Sequence, residues 1–377
     1  MQGIVADLAD PEQFCSFFAI YNVLGSGSDG KVFGYQHLSS GRVIAVKVPH
    51  PGRFWTSHSI EKEVAALMNI SRCGEHENIA RMLAYGPEFG DDFGPAIFFE
   101  CAEFGSLLDY RWAWRKQECD ASILEPMVWK LFKDLVLALD FLHNKCGMIH
   151  RDVKTDNVLV SRPSDYTNDL IPAIPVFKLC DFSRVVAYSC TDCEIHPWYG
   201  TVDFAPPFTE REKARPAGDM WSLGATIQEF ALGVCPVQSR KALLAQMDKL
   251  QEPHPKLDGD EELWAHEEWG RKFSAAYRPL NAYKKTLMEQ WDVPQMPPCH
   301  KPFSGELNEW YAKLWETDWE LRATSASLVE DLIPSIDGYI GVDEEREKHR
   351  TDSVLVTRTA MLPHGAPACD KDGYRPQ

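Results

Sequence analysis

The sequence contains no run of about eighteen apolar residues, the length a helix needs to cross a bilayer. It also lacks a basic stripe. The formal net charge is −17, which argues against non-specific binding to nucleic acid or to an anionic membrane. The opening residues Met1-Gln2-Gly3-Ile4-Val5-Ala6-Asp7 lack the basic segment and apolar stretch of a secretory leader. No internal repeat is evident. The cysteines are eleven in number, odd, and scattered from Cys15 to Cys369, which fits reduced thiols better than a disulfide framework. A soluble, cytoplasmic or nuclear protein is expected, with no nucleic-acid or membrane partner.

What is present is core-forming. Hydrophobic residues are 44% of the chain and aromatics 11%, including 12 Trp, so wholesale disorder is excluded. A length of 377 residues suits two or three average domains or one large bilobal one. Cys190, Cys193 and His196 have metal-ligand spacing, but three ligands are in view where a structural zinc site takes four.

The run His150-Arg151-Asp152-Val153-Lys154-Thr155-Asp156-Asn157 places an acid, a cation and an amide at offsets suited to phosphoryl transfer. Asp152 can accept the proton of an attacking hydroxyl, Lys154 can neutralise the moving phosphoryl group, and Asn157 can hold a metal ion. Charged clusters of this length are usually solvated surface, so the flanking segments decide.

Upstream, alternation of apolar and small residues predicts strands over 18–25, 31–37 and 42–49. Gly25, Gly27 and Gly30 occupy the first turn. A plain hairpin is one reading, but a strand rather than a helix follows the glycines, which favours a flap over nucleotide phosphates to a Rossmann site. Ile44-Ala45-Val46-Lys47 ends an apolar strand on a lysine that needs a partner if buried. The helix predicted over 59–70 supplies it: Val64, Leu67, Met68 and Ile60 line one face, and Glu63 borders that face better than Glu61.

In this order the segments resemble the eukaryotic protein kinase family, serine/threonine branch, from about residue 18 to about 334. The resemblance implies an α+β bilobal protein kinase-like fold, with a small β-rich N-lobe carrying one key helix and a larger, mainly helical C-lobe. The expected boundaries are an N-terminal extension 1–17, an N-lobe of about 18–101, a C-lobe of about 105–334 and a flexible tail 335–377. Gly25, Gly27, Gly30 and Val32 match the Gly-rich loop, Ala45 and Lys47 the lysine strand, and Glu63 its glutamate. Phe99, Glu100 and Ala102 match the hinge. The resemblance implies ATP contacts from Leu24, Gly25, Ser26, Gly27, Gly30, Val32, Ala45, Lys47, Glu100, Ala102 and Leu159, and Mg²⁺ held by Asn157 and Asp181. It gives catalytic roles to Asp152, Lys154, Lys47 and Glu63. Asp219 is expected to brace the catalytic loop, and Phe182 to pack under the Glu63 helix.

Two positions depart from the family pattern. Ser183 replaces the glycine after Asp181-Phe182, which narrows the backbone range. In Ala205-Pro206-Pro207-Phe208, Phe208 stands where a glutamate normally pairs with a late arginine, here Arg322; Glu210 is an available substitute. Residues 161–176 form a polar, Pro-containing surface excursion, and a longer insert over about 240–312 includes the acidic run 258–262 and tryptophans at 264, 269, 291 and 310. Arg151 is expected to meet an acidic residue of the activation segment, Glu194.

The implied function is an ATP-dependent serine/threonine kinase, a monomer acting on a protein substrate. Lys154 two residues after Asp152, and Thr201, carry the serine/threonine assignment. The alternatives are a pseudokinase scaffold with an altered Ala-Pro-Glu element and a small-molecule phosphotransferase. The first is disfavoured by the intact set Lys47, Glu63, Asp152, Asn157 and Asp181, the second by Gly200-Thr201 and Asp219-Met220-Trp221.

Overall fold

The computed structural model describes residues 14–89, 94–118, 122–166, 170–188, 196–254, 272–291, 293, 295–297 and 299–340. Strands β1 (Phe18–Ser26), β2 (Lys31–His37), β3 (Val43–Val48), β4 (Met82–Gly86) and β5 (Ala96–Glu100) form an antiparallel sheet in the order β1-β2-β3-β5-β4. The two-residue period of β3 sends Ile44, Val46 and Val48 to one face, where they are buried with Phe18, Ala96 and Phe98. Phe14, in a helical turn just before the expected start of the lobe, closes the same cluster by stacking on Phe18 with ring centroids 4.6 Å apart. The opposite phase of β3 carries Ala45 and Lys47, and β5 carries Ile97 towards the helix that packs beneath the sheet.

That helix, α1 (Phe54–Cys73), is longer than the 59–70 predicted. Ile60, Val64, Leu67 and Ile70 are buried at helical spacing against Ile97. Met68, expected on this face, is 45% exposed: it lies one residue, about 100° of rotation, past Leu67.

The C-lobe is built around two buried helices. After α2 (Leu107–Gln117), which starts with a Ser106–Asp109 capping box, comes α3 (Glu125–Asp140). It runs into a π-helical turn, Phe141–Lys145. Helix α4 (Pro216–Leu232) is buried nearly all round, from Gly218 to Leu232. A Cβ on its Gly224 would come within 2.9 Å of the Trp315 indole nitrogen, so glycine is needed for the close approach.

Strands β6 (Met148–Ile149), β7 (Val158–Ser161) and β8 (Val176–Leu179) flank the loops that carry the motif residues. β7 pairs with β8, Val158 opposite Leu179, so Asn157 and Asp181 are neighbours at one end of the hairpin. The later part of the excursion between β7 and β8, read as surface, packs from Leu170 onward. Leu170 and Ala173 are buried, and the Tyr110 hydroxyl donates to the Pro172 carbonyl at 2.7 Å. Polar composition concealed two apolar anchors.

The second insert contributes helices α5 (Arg240–Leu250), α6 (Lys284–Gln290) and α7 (Gly305–Ala312). Trp310 is half-buried, and Trp291, just after α6, meets the Tyr277 ring edge-on with centroids 5.6 Å apart. The acidic run 258–262, Trp264 and Trp269 lie outside the described residues. The expected tail boundary at 334/335 needs correction. After α8 (Ser325–Asp331) the chain is helical again over 333–340, and Ile336 and Ile340, one turn apart, are buried in the main core. Tyr339 stacks on Trp129 at 5.0 Å.

Candidate active site

Lys47 is placed by strand alternation on the lower face of the sheet, opposite the Glu63 face of α1. Its ammonium lies 2.6 Å from Glu63 Oε2 and 3.1 Å from Asp181 Oδ1. Burial works against this charge, but the Asp181 and Glu63 carboxylates outweigh it, and the pKa of Lys47 is raised. Asp181 is also pushed up by burial, yet Lys47's charge and hydrogen bond, with help from the Ser183 hydroxyl, hold it below the ordinary carboxylate range. Burial raises the Glu63 carboxyl, and the charge and hydrogen bond of Lys47, 2.6 Å away, pull it only part of the way back. Glu61, the rejected candidate, has a 60% exposed side chain.

The catalytic-loop residues between β6 and β7 meet Thr201 of the later segment. Asp152, 3% exposed, accepts from the Thr201 backbone N–H at 2.7 Å and the Thr201 hydroxyl at 2.8 Å. Lys154 donates to the Thr201 hydroxyl at 2.9 Å and lies 3.4 Å from Asp152 Oδ2. Asn157 turns its NH₂ group to Asp152, donating to the backbone carbonyl at 2.8 Å, which leaves its oxygen for a cation.

Two residues of this region hold left-handed backbone, Arg151 at φ 67° and Asp181 at φ 62°. Non-glycine residues there cost on the order of 1–3 kcal/mol each, so the surroundings must impose the geometry. Asp219 does so on one side, accepting from the N–H groups of His150 at 2.7 Å and Arg151 at 2.8 Å. On the other, Cys180 N–H donates to Asn157 O at 2.9 Å, and Phe182 N–H donates to Glu63 Oε1 at 3.3 Å. Phe182 is buried against α1, as the resemblance implied.

Between the lobes lies a cavity of about 570 Å³. Every position expected to contact nucleotide lines it, from Leu24, Gly25, Ser26, Gly27 and Gly30 of the flap through Val32, Ala45 and Lys47 to Glu100, Ala102 and Leu159. So do Asn157 and Asp181. A Cβ on Gly30 would sit 2.2 Å from the Val48 carbonyl, so the flap can lie this close to β3 only with glycine there. Ala80, Asp109 and Cys180 also line the cavity and were not singled out from sequence; Cys180 directly precedes the motif acid Asp181. Among the described residues no group of three His, Cys, Asp or Glu is placed to hold a metal. The pair Asn157 and Asp181 nevertheless suits Mg²⁺, which keeps waters and takes phosphate oxygens besides one or two protein ligands.

Both departures find accommodation. Ser183 sits in a short 3₁₀ turn, and the positive φ is at Asp181, so glycine's freedom at 183 is not used. Its hydroxyl donates to Asp29 of the flap at 3.4 Å. Phe208 is 43% exposed, and Glu210 takes the acidic place instead: Arg322 donates to its two carboxylate oxygens at 2.6 and 2.9 Å, both side chains buried.

Arg151 donates to the carbonyls of Arg184 at 2.6 Å and Pro197 at 2.7 Å, while Glu194, its expected partner, lies outside the described residues. The same holds for Cys190 and Cys193. Arg184 was missed: its guanidinium lies 3.7 Å from Asp152 and bonds the Tyr199 carbonyl at 2.7 Å.

Among known proteins, residues 18–332 match the family model described as protein kinase domain. The serine/threonine-protein kinase TIO of Arabidopsis thaliana is 29% identical over 222 residues, 58% of this chain and 15% of that protein. The dual specificity mitogen-activated protein kinase kinase sek-1 of Caenorhabditis elegans is 28% identical over 242 residues, 62% and 65% of the two chains. An Aurora kinase of Schizosaccharomyces pombe is 31% identical over 226 residues, 59% and 56%. The matches thus span less than two thirds of these relatives' lengths.

Proposed function

The chain belongs to the protein kinase family, and on that footing we propose that it is an ATP-dependent serine/threonine kinase acting on a protein hydroxyl. The observation that carries this reading is the closed constellation Asp152–Thr201–Lys154, with bonds of 2.7 to 2.9 Å at Thr201. The buried pair Lys47–Glu63 faces it across the cleft. Relatives of both serine/threonine and dual specificity are among the matches, so the preference for serine and threonine rests on Lys154 and Thr201.

ATP with Mg²⁺ supplies the transferable phosphoryl group and the charge that neutralises it. Asn157 and Asp181 would hold the metal, Lys47 and the flap glycines the phosphates, and the backbone of Glu100 and Ala102 the adenine edge. Asp152 orients the substrate hydroxyl and takes its proton; Thr201 fixes the carboxylate and Lys154 places a positive charge beside it. Asp219 keeps the loop in its strained turn. The work is positioning and charge, which needs the full set of residues. A pseudokinase was motivated by the glutamate missing at 208, and Glu210 beside Arg322 weighs against it.

The test is incubation of the purified chain with Mg-ATP and a peptide library, followed by phosphoamino-acid analysis. Phosphate on serine or threonine is expected. Predominant phosphotyrosine would overturn the specificity, and no transfer at all would overturn the activity.

A further inference from the structure

We propose that Cys73 and Cys146 form a reversible, oxidant-dependent disulfide that ties the end of α1 to the turn leading into the catalytic loop. Cys73 is the last residue of α1, and Cys146 caps the π-helical turn Phe141–Lys145. The two chain segments lie against each other. A Cβ on Gly74 would sit 3.6 Å from the Lys145 ammonium, and the rings of His76 and Phe141 are 4.9 Å apart. The Cys73 thiol is near enough to Cys146 to raise its pKa, and both pack against the main core from partly exposed positions. None of the other described cysteines is disulfide-bonded. A wide π turn at the end of a long helix is a local irregularity of the kind found at functional positions, and here it ends on the thiol that meets α1.

The chemistry has an order. Burial first, and then the neighbouring Cys73 thiol, push Cys146 up to about 12, so it stays protonated and acts second. Cys73 therefore takes the first step. With hydrogen peroxide as oxidant, Cys73 sulfur attacks one peroxide oxygen: an S–O bond forms, the O–O bond breaks, and the departing hydroxide takes up the Cys73 proton and leaves as water. Cys146 sulfur then gives up its proton, forms the S–S bond and expels the sulfenic oxygen as a second water. Two thiols and one hydrogen peroxide become one disulfide and two waters.

The bridge would anchor the C-terminal end of α1, the helix on which Glu63 holds Lys47 at 2.6 Å. Oxidation therefore ties the helix that carries Glu63 to the turn before the catalytic loop. It also links two points about 70 residues apart in the chain, a loop closure that raises Tm by roughly 5 to 10 °C at this size.

The experiment uses the full chain, purified reduced, treated with hydrogen peroxide, alkylated and mapped by non-reducing peptide mass analysis. A peptide pair joining Cys73 to Cys146 is expected, released by dithiothreitol. Cys73→Ser and Cys146→Ser should each remove both the linked pair and the Tm rise, with basal peptide phosphorylation unchanged. The proposal fails if both cysteines are recovered separately alkylated at doses that oxidise other thiols, if either pairs with a different cysteine, or if the Tm rise survives in Cys73→Ser. Because peptide mass and Tm do not depend on phosphoryl transfer, these outcomes are separable from those of the kinase assay.

Discussion

Removing Glu210 should be among the most damaging single changes outside the cleft. Its carboxylate takes both terminal nitrogens of Arg322, at 2.6 and 2.9 Å, and the Arg322 side chain is 0% exposed. Arg322 keeps other contacts: it donates to the carbonyls of Glu316 and Ala217, each at 2.8 Å, and stands 4.8 Å over the Trp221 ring. None of them carries a negative charge. Glu210→Ala therefore leaves a buried cation uncompensated, a loss of about 3–5 kcal/mol. For a domain this large that lowers Tm by roughly 6 to 10 °C. Urea unfolding followed by tryptophan fluorescence gives the free energy. The paired variant Glu210→Ala/Arg322→Met should lose less than the sum of its parts, since the stranded charge is gone. Adding Phe208→Glu to Glu210→Ala should not restore stability, because position 208 is 43% exposed and flanked by the cations of Arg211 and Lys272. A Glu210→Ala cost below about 1 kcal/mol, or rescue by the acid at 208, would refute the reasoning.

Four further outcomes are expected. Lys47→Met and Asp181→Asn should each abolish phosphoryl transfer with the fold retained, seen as lost peptide phosphorylation alongside unchanged far-UV circular dichroism. Asp152→Asn should lower kcat by orders of magnitude with little change in ATP affinity, measured by steady-state kinetics and calorimetry. Thr201→Val, which removes the hydroxyl joining Asp152 to Lys154, should cut kcat about 10- to 100-fold and leave KM for ATP near wild type. Burial, reinforced by the charges of Asp156 and Asp203 against the Thr155 hydrogen bond, raises the Glu229 carboxyl to about 7. A carboxyl raised on folding binds extra protons in the native state, so its contribution is present below the unfolded value and lost as pH rises to about 7. Glu229→Gln, which cannot ionise, should gain in Tm relative to wild type between pH 5 and pH 8; a pH-independent difference would rule this out.

Much of the cleft was legible in the sequence because its parts are short and locally encoded. The choice of Glu63 over Glu61 followed from helical geometry, and the side chains now lie at 1% and 60% exposure. Asp219 and Thr201 were assigned through the family resemblance, and both reach the catalytic loop. The missed pieces depend on how irregular chain is routed. Nothing in the composition of 161–176 marks Leu170 and Ala173 as anchors, because single apolar residues among prolines carry no period. Arg184 approaches Asp152 from the segment after Asp181, across thirty-two positions of sequence. The meeting of Cys73 with Cys146 likewise depends on a turn whose width the residues Phe141–Lys145 do not announce.

The change at position 208 is tied to the catalytic loop through one end of α4. Arg322 holds Glu210 and also bonds the Ala217 carbonyl at 2.8 Å, in the first turn of that helix. Two residues on, Asp219 accepts from His150 and Arg151 and from the ring of His143 at 2.9 Å. The strained turn that aims Asp152 is thus tied to the same helical turn that the Glu210–Arg322 pair secures. A glutamate two residues late can serve because the pair needs only to reach a buried arginine, and the 3₁₀ turn Phe208–Glu210 carries the carboxylate inward while leaving Phe208 outside. Loss of that pair should accordingly register at the catalytic loop as well as in global stability, through Ala217 and Asp219, although neither Glu210 nor Arg322 lines the cleft.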